Sequence, residues 1–224
     1  MYFSVAGSEK YTRPLFPKLN AILDADVARQ AGWTLADLAS AYLNGGARFL
    51  QLRAKTMAGA ELLDVASTVA ALTRAAGAML LVNDRADIAA LAGADGVHVG
   101  QEDLSPRRVR TVVGPVAIVG LSTHTLEQVE HALDEPISYV AIGPVFGSET
   151  KATGYEAIGL DRVQAAAGRS GRRGLPLVAI GGVTLDRAPS VIQHGAASVA
   201  VISDLLSTGD PEGRVRAYVE RLSR

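Results

Sequence analysis

Two cations and an amide alternate along one short stretch of the chain. Gln51, Arg53 and Lys55 are spaced two residues apart, so an extended strand places all three side chains on one face. Because burying an unpaired charge is costly, these side chains require an anionic or polar partner. We interpret the row as a ligand-binding face, with a structural ion pair as the less favoured alternative.

Two acidic residues follow two later apolar runs. Asp84 comes directly after one run, and Asp103 ends the polar stretch that follows the next. If these runs are adjacent strands, the two carboxylates lie close together and either share a proton or hold a cation. The nearby cations suggest Mg²⁺ bridging the carboxylates to substrate phosphates, since Mg²⁺ commonly takes one or two carboxylates and completes its shell with phosphate and water. Helix-capping acids are the alternative.

Hydroxyl groups, glycines and a lysine stand at the ends of four further runs. Ser122 ends one run, the stretch 143–151 follows the next, and Gly182 and Ser203 end the last two. Hydroxyls, glycine amides and lysine are suited to binding phosphate oxygens. A serine hydrolase using Ser122 and His124 is a weaker interpretation, because no GxSxG turn surrounds the serine.

Eight short apolar runs must position these side chains. They cover residues 19–24, 49–51 continuing to 55, 79–84, 96–100, 117–122, 139–145, 177–182 and 198–203. Continuous runs rich in Val and Ile are typical of parallel strands buried on both faces. Most of these runs start 20 to 40 residues after the previous one, which leaves room for a crossover helix after each strand.

The segments between the runs carry helix signals. Thr34, Thr125 and Thr184 are predicted to open helices, as is Ser105 before Pro106, and a last helix is predicted over 211–222. Eight alternations of strand and helix predict a single-domain (β/α)8 TIM barrel rather than an open sheet of five or six strands.

The carboxyl ends of the strands form the active face of such a barrel. The loops after strands 7 and 8 are its recurrent phosphate site, which predicts a phosphorylated ligand. His98 alternates with Val97 and Val99 inside strand 4, so we interpret it as a hydrogen-bonded barrel residue rather than a catalyst.

Composition excludes several function classes. The 224 residues carry a net charge of −1, which does not favour nucleic acid or a membrane as partner. The absence of cysteine removes disulfides, thiolate nucleophiles and Cys-ligated metals. We expect a cytoplasmic protein with an N-terminal extension over 1–18 and one catalytic domain over 19–224, and a homo-oligomer stays open.

Seven motifs at seven strand ends carry a family resemblance. In chain order they are QLRAK, NDR, DGVHVGQED, GLSTHT, GPVFGSETK, AIGGV and VAVIS. Together they resemble the thiamine phosphate synthase family, from about residue 19 to the end. The resemblance implies an Mg²⁺-dependent transferase that joins 4-amino-2-methyl-5-pyrimidinylmethyl diphosphate to a thiazole ethyl phosphate and releases diphosphate. A carboxylated thiazole would also lose CO₂.

The resemblance also implies residue roles. The pyrimidine diphosphate would be held by Gln51, Arg53, Lys55, Asn83, Ser122 and Lys151, of which Arg53, Lys55, Ser122 and Lys151 would be catalytic. Asp84 and Asp103 would ligate Mg²⁺. The thiazole phosphate would be held by Ser148, Glu149, Thr150, Gly182, Ile202 and Ser203. Gly147 and Ser148 replace a Pro-Thr pair that is common in the family, which puts the geometry of the thiazole-side loop in doubt.

Two other functions fit parts of this pattern. A thiazole tautomerase of the same fold resembles the chain at strands 7 and 8, but it needs no diphosphate and its members typically lack the paired acids. A non-catalytic barrel that binds a phosphorylated ligand could keep Gly182 and Ser203, yet it has no use for the row of Gln51, Arg53 and Lys55.

Overall fold

Eight parallel strands close into a barrel in which each strand pairs with its neighbours in chain order, and the last strand pairs with the first. The computed structural model describes residues 16–147 and 156–223. The strands are β1 Leu19–Asp24, β2 Phe49–Arg53, β3 Met79–Asn83, β4 Gly96–Val99, β5 Ile118–Thr123, β6 Tyr139–Ile142, β7 Leu177–Ile180 and β8 Ser198–Val201. The predicted (β/α)8 barrel is confirmed.

Helices surround the barrel. They are α1 Ala25–Gln30, α2 Leu35–Asn44, α3 Gly59–Ala75, α4 Ala86–Leu91, α5 Pro106–Val113, α6 Leu126–Ala132, α7 Gly159–Arg172, α8 Ala188–Gln193 and α9 Pro211–Ser223, with a 3₁₀ helix at Ser203–Leu206 after β8. No helix in the described ranges has the length and apolar character needed to cross a membrane.

Several predicted helix starts match the structure. The hydroxyl oxygen of Thr34 accepts from the Asp37 N–H at 3.1 Å, and Thr125 caps α6 in the same way at 3.2 Å. Pro106 occupies the first turn of α5, where its missing N–H does no harm. The start predicted at Thr184 is wrong, because residues 185–187 form a turn before α8 begins at Ala188.

The strands separate two apolar clusters. Outward side chains such as Leu50, Leu80 and Val97 pack beneath the helices. Inward side chains form a second cluster that includes Phe49 and Tyr139, with Phe16 packed against both rings. These aromatic residues fill the barrel from the end where β2 and β6 begin.

Most strands end earlier than predicted. β6 ends at Ile142 and β7 at Ile180, where the sequence predicted 145 and 182. Gly181 has φ 101°, a conformation outside the sheet region, so the chain turns at the glycine instead of continuing the strand. The polar residues beyond these strands therefore lie in loops over the carboxyl end of the barrel.

Candidate active site

A cavity opens at the carboxyl end of the barrel and is lined by inward residues of all eight strands. Its polar lining consists of Asn20, Gln51, Arg53, Asn83, His98, Ser122 and Tyr139. Apolar residues complete the wall, among them Ile22, Ile180 and Ile202. Five residues predicted from the sequence meet here: Gln51, Arg53, Asn83, Ser122 and Ile202.

Arg53 is held in this cavity by an aspartate at the end of β1. Asp24 is paired with Arg53 in the β1–β2 register, and its Oδ2 accepts a hydrogen bond from the guanidinium. Its Oδ1 accepts from the N–H groups of Asp26 and Val27, at 3.1 Å each, and so caps α1. The ion pair held as the less favoured alternative is therefore present, but a guanidinium has five N–H donors and one carboxylate does not saturate them.

Lys55, Asp84 and Asp103 form a charged cluster beside the cavity. Lys55 Nζ donates to the Asp84 carboxylate, and Asp103 Oδ2 accepts from the Gly100 N–H at 2.7 Å. Burial raises the pKa of Asp84, the hydrogen bond from Lys55 opposes this, and the adjacent Asp103 carboxylate raises it further. The two acids that the sequence placed on neighbouring strand ends thus act on each other directly.

The backbone at Asp84 departs from ordinary geometry. Its φ is 64°, the one positive value found at a non-glycine residue in the described ranges. Its N–H donates to the His98 carbonyl at 2.8 Å, which anchors this conformation to β4. Residues held in the left-handed region cluster at functional sites, where the surrounding structure imposes a side-chain direction.

The acidic pair fits a magnesium ion that also binds phosphate. Within 16–147 and 156–223, no third His, Asp or Glu joins Asp84 and Asp103 in a potential metal cluster. Two carboxylates suit Mg²⁺ when substrate phosphate and water supply the other ligands. Burial is the largest cause of the raised pKa of Asp84, and the Asp103 carboxylate adds to it; a divalent cation would relieve this like charge.

Ser122 lines the cavity near the end of β5. Its Oγ is 2.9 Å from His98 Nε2, and its carbonyl accepts from the side-chain amide of Gln101 at 2.6 Å. His98 Nδ1 lies 2.7 Å from the Tyr139 hydroxyl. The interpretation of His98 as a hydrogen-bonded barrel residue is confirmed.

The loops after β6 and β7 pack tightly at the predicted phosphate side. Gly182 has φ 63°, and a Cβ at this position would overlap the Gly147 carbonyl oxygen and lie 2.9 Å from Phe146 Cβ. Ile202 lines the cavity, and the next residue, Ser203, begins the 3₁₀ helix. The structure therefore places Gly182, Ile202 and Ser203 at the same end of the barrel.

Asp204 anchors that 3₁₀ helix. Its carboxylate accepts from Arg214 at 2.9 Å, from the Tyr218 hydroxyl at 2.6 Å and from the Leu185 N–H at 3.2 Å. The bonds tie together the loops after β7 and β8 and helix α9. Neither Asp204 nor Asp24 was predicted. Asp24 is the last residue of β1, and this position at the carboxyl end of a strand is the local signal that could have identified it.

Four predicted site residues lie outside the described residues. They are Ser148, Glu149, Thr150 and Lys151, in the stretch 148–155 between β6 and α7. Their assignments rest on the sequence alone.

Comparison with known proteins shows which family the chain resembles. The family described as thiamine monophosphate synthase matches residues 19–205. The thiamine-phosphate synthase of Koribacter versatilis is 44% identical over 210 residues, covering 92% of this chain and 96% of the relative. That of Roseiflexus sp. strain RS-1 is 40% identical over 204 residues, covering 90% of this chain and 85% of the relative.

A solved structure shows the same architecture. Thiamine phosphate pyrophosphorylase from Pyrococcus furiosus superposes with a TM-score of 0.83 at 28% identity, covering 92% of this chain and 96% of that one.

Fold and family together define a (β/α)8-barrel transferase with a cavity at the carboxyl ends of its strands, where Arg53 is part of the lining. The chain belongs to the thiamine monophosphate synthase family.

Proposed function

We propose that the protein joins 4-amino-2-methyl-5-pyrimidinylmethyl diphosphate to a thiazole ethyl phosphate, giving thiamine phosphate and diphosphate. One observation carries the proposal: Lys55, Asp84 and Asp103 form one cluster beside a cavity that contains Arg53. Two acids and two cations at one mouth suit a metal-bound diphosphate, because both signs of charge have a partner in that ligand.

The cations would act on the leaving group. As the bond from the methylene carbon to the diphosphate oxygen breaks, its electron pair goes to that oxygen, and Arg53, Lys55 and Lys151 would neutralise the growing negative charge. Asp84 and Asp103 would hold Mg²⁺, which when bound supplies further positive charge to the phosphate oxygens. The amino-substituted pyrimidine ring stabilises the carbocation that remains.

The thiazole nitrogen would then attack this carbon. Gly182, Ile202 and Ser203 would hold the thiazole phosphate, with Ser148, Glu149 and Thr150 on the same side, so that the nitrogen faces the carbocation. Positioning and electrostatics supply the rate in this scheme, and no protein nucleophile is required.

The alternatives use less of the site. Isomerisation of a thiazole phosphate involves no diphosphate and gives the Asp84–Asp103 pair no role. A non-catalytic barrel would not need the strained backbone of Asp84 beside Lys55. The named relatives, which are thiamine-phosphate synthases, also support the synthase.

A paired substitution tests the metal role. Asp84→Asn keeps a side chain that tolerates positive φ but removes the charge, so we expect turnover to fall at least about a hundredfold with the fold retained. Asp87→Asn is the control, since Asp87 is exposed in the first turn of α4 and pairs with Arg85. Initial rates are measured across an Mg²⁺ titration, with circular dichroism as the folding check. Normal activity of Asp84→Asn at saturating Mg²⁺ would refute the assignment.

The partners, the cellular location and the oligomeric state of the protein are also predictions. We propose phosphorylated small molecules as partners, rather than nucleic acid or a membrane, and a cytoplasmic location. Cell fractionation tests the location, and light scattering of the purified chain decides whether a homo-oligomer forms.

A further inference from the structure

A hydrogen-bonded chain runs from the barrel interior to the cavity. The Tyr139 hydroxyl lies 2.7 Å from His98 Nδ1, and His98 Nε2 lies 2.9 Å from Ser122 Oγ. All three residues line the cavity, Tyr139 with no exposed surface and His98 and Ser122 with 8% and 7% of theirs exposed. The chain thus joins a fully buried side chain at the start of β6 to Ser122 near the end of β5, at the wall of the proposed diphosphate site.

The barrel leaves specific room for this arrangement. Gly120, on β5, has no side chain, and a Cβ there would overlap the Tyr139 ring. Phe49 packs edge-on against the same ring, with centroids 6.0 Å apart, and Phe16 lies 5.6 Å from it. Apolar rings therefore surround the tyrosine, and its hydroxyl points toward His98.

These contacts set the direction of the first hydrogen bond. Burial raises the pKa of Tyr139, so the phenol stays protonated and carries a hydrogen to donate. Among the described residues, His98 Nδ1 is the one hydrogen-bond partner found for this hydroxyl. A buried donor without an acceptor is costly, so Nδ1 must offer its lone pair and carry no proton.

The tautomer of the imidazole ring then sets the direction of the second hydrogen bond. A neutral imidazole with a lone pair on Nδ1 carries its proton on Nε2, which faces Ser122 Oγ. The serine oxygen accepts this proton, so its own hydrogen is turned away from His98. Because Ser122 lines the cavity, that hydrogen is available to a ligand there.

We propose that Tyr139 and His98 are positioning residues that fix the Ser122 hydroxyl as a hydrogen-bond donor to the diphosphate. The proposal rests on the proposed function for the identity of the anion. Ionised diphosphate oxygens only accept hydrogen bonds, so a serine that donates helps to hold the leaving group, whereas a serine that donates to histidine presents lone pairs to it. Tyr139 removes this second arrangement through its hydrogen bond to His98.

A double-mutant cycle tests the direction. Tyr139→Phe leaves the ring packing but removes the donor that keeps the proton off Nδ1, so the two neutral tautomers compete and Ser122 can donate to Nε2 in one of them. We expect kcat to fall about tenfold in the wild-type background, and less than about twofold further when Ser122 is already Ala. An equal fold loss in both backgrounds would mean that Tyr139 acts through packing, and would overturn the proposal.

Tyr42→Phe is the matched control. Tyr42 is as buried as Tyr139, but its hydroxyl has no hydrogen-bond partner in the described part of the chain. We expect wild-type kcat from this variant. A tenfold loss here as well would show that deleting any buried hydroxyl suffices, which would also contradict the proposal.

Two further measurements do not depend on turnover. Nitrogen-15 NMR of the wild-type chain, with His98→Asn to assign the signals, should show the neutral Nε2–H tautomer at His98, and the Nδ1–H tautomer would refute the proposal.

Calorimetric titration with inorganic diphosphate and Mg²⁺ should show about tenfold weaker binding to Tyr139→Phe, and unchanged affinity would also refute the proposal. If the wild type formed no thiamine phosphate, the proposed function would fail while these results still decide the role of Tyr139.

Discussion

Asp24 uses its two carboxylate oxygens for different purposes. One oxygen caps α1 through two backbone N–H groups, and the other holds the Arg53 guanidinium in the cavity wall. Only 3% of the Asp24 side chain and 14% of the Arg53 side chain are exposed, so water screens this pair little. The same residue therefore contributes to stability and to the position of a proposed catalytic cation.

Two substitutions separate these contributions. Asp24→Asn keeps an oxygen that can cap α1 but loses the charge that holds Arg53, whereas Asp24→Ala loses both. We expect both to raise KM for the pyrimidine diphosphate, and Ala to lower the free energy of unfolding by about 1 kcal/mol more than Asn. Initial rates and urea denaturation measure the two effects.

Thr34→Ala provides the control for the cap. Thr34 caps α2 through the Asp37 N–H and takes no part in the cavity. The Thr34→Ala substitution should also lower the free energy of unfolding by about 1 kcal/mol and leave KM unchanged. A similar rise in KM for Thr34→Ala and Asp24→Asn would show that the Asp24 effect is general destabilisation.

Individual site residues differ in how far the sequence predicts them. Gln51 and Arg53 could be predicted because a period of two within one strand determines their shared face, and the structure confirms that both line the cavity. The Tyr139–His98 contact could not, because it joins residues 41 positions apart. It depends on the space left by Gly120 and on the register across β4, β5 and β6.

At the scale of elements, the loops over the barrel are fixed by backbone contacts and by Asp204. The loop after β7 approaches the loop after β6 so closely at Gly182 that no side chain fits. Asp204 joins the 3₁₀ helix to α9 and to residue 185. The proposed phosphate side is therefore built from segments that brace each other.

Gly182→Ala tests the close approach of these loops. The methyl group would overlap the Gly147 carbonyl oxygen at a residue with φ 63°, so we expect a loss of about 2 kcal/mol or more in unfolding free energy and a higher KM for the thiazole phosphate. Gly168→Ala is the control. Gly168 lies inside α7, where an added methyl group would meet nothing within 4 Å, so that variant should gain about 0.5 to 1 kcal/mol. Destabilisation of the two variants by the same amount would contradict the role of Gly182.

Tyr218→Phe tests the anchor of the 3₁₀ helix. Burial raises the pKa of Tyr218, so its hydroxyl remains a donor to the Asp204 carboxylate at 2.6 Å. Losing a hydrogen bond to a charged acceptor should cost about 1.5 kcal/mol in denaturation experiments. The cost for Tyr42→Phe should be close to zero, because its hydroxyl has no partner among the described residues. Equal costs would argue against the Asp204 anchor.

Elements were predictable where the signal was local. The Thr34 and Thr125 caps and the eight apolar runs follow from neighbouring residues, and the structure confirms them. The start of α8 was predicted three residues early, since a helix opened by Thr184 would begin at residue 185. The Leu185 N–H bonds instead to Asp204, which is 19 residues away. Long-range contacts of this kind leave no local pattern.

For the whole molecule, barrel closure sorts the side chains into three environments. Outward residues pack under the helices, inward residues near the strand starts form an aromatic-rich core, and inward residues near the strand ends line the cavity. The net charge of −1 is thus an average over an uneven distribution. Arg53 and Lys55 lie with Asp24, Asp84 and Asp103 at one mouth.

The most direct test of the central claim is product formation by the wild-type chain. Purified protein is incubated with Mg²⁺, 4-amino-2-methyl-5-pyrimidinylmethyl diphosphate and a thiazole ethyl phosphate, carboxylated or plain, and products are identified by mass spectrometry. We predict thiamine phosphate and diphosphate in equal amounts, with neither formed when one substrate is omitted. The claim would be contradicted if the protein isomerised the carboxylated thiazole phosphate without the pyrimidine and formed no thiamine phosphate when both substrates were present.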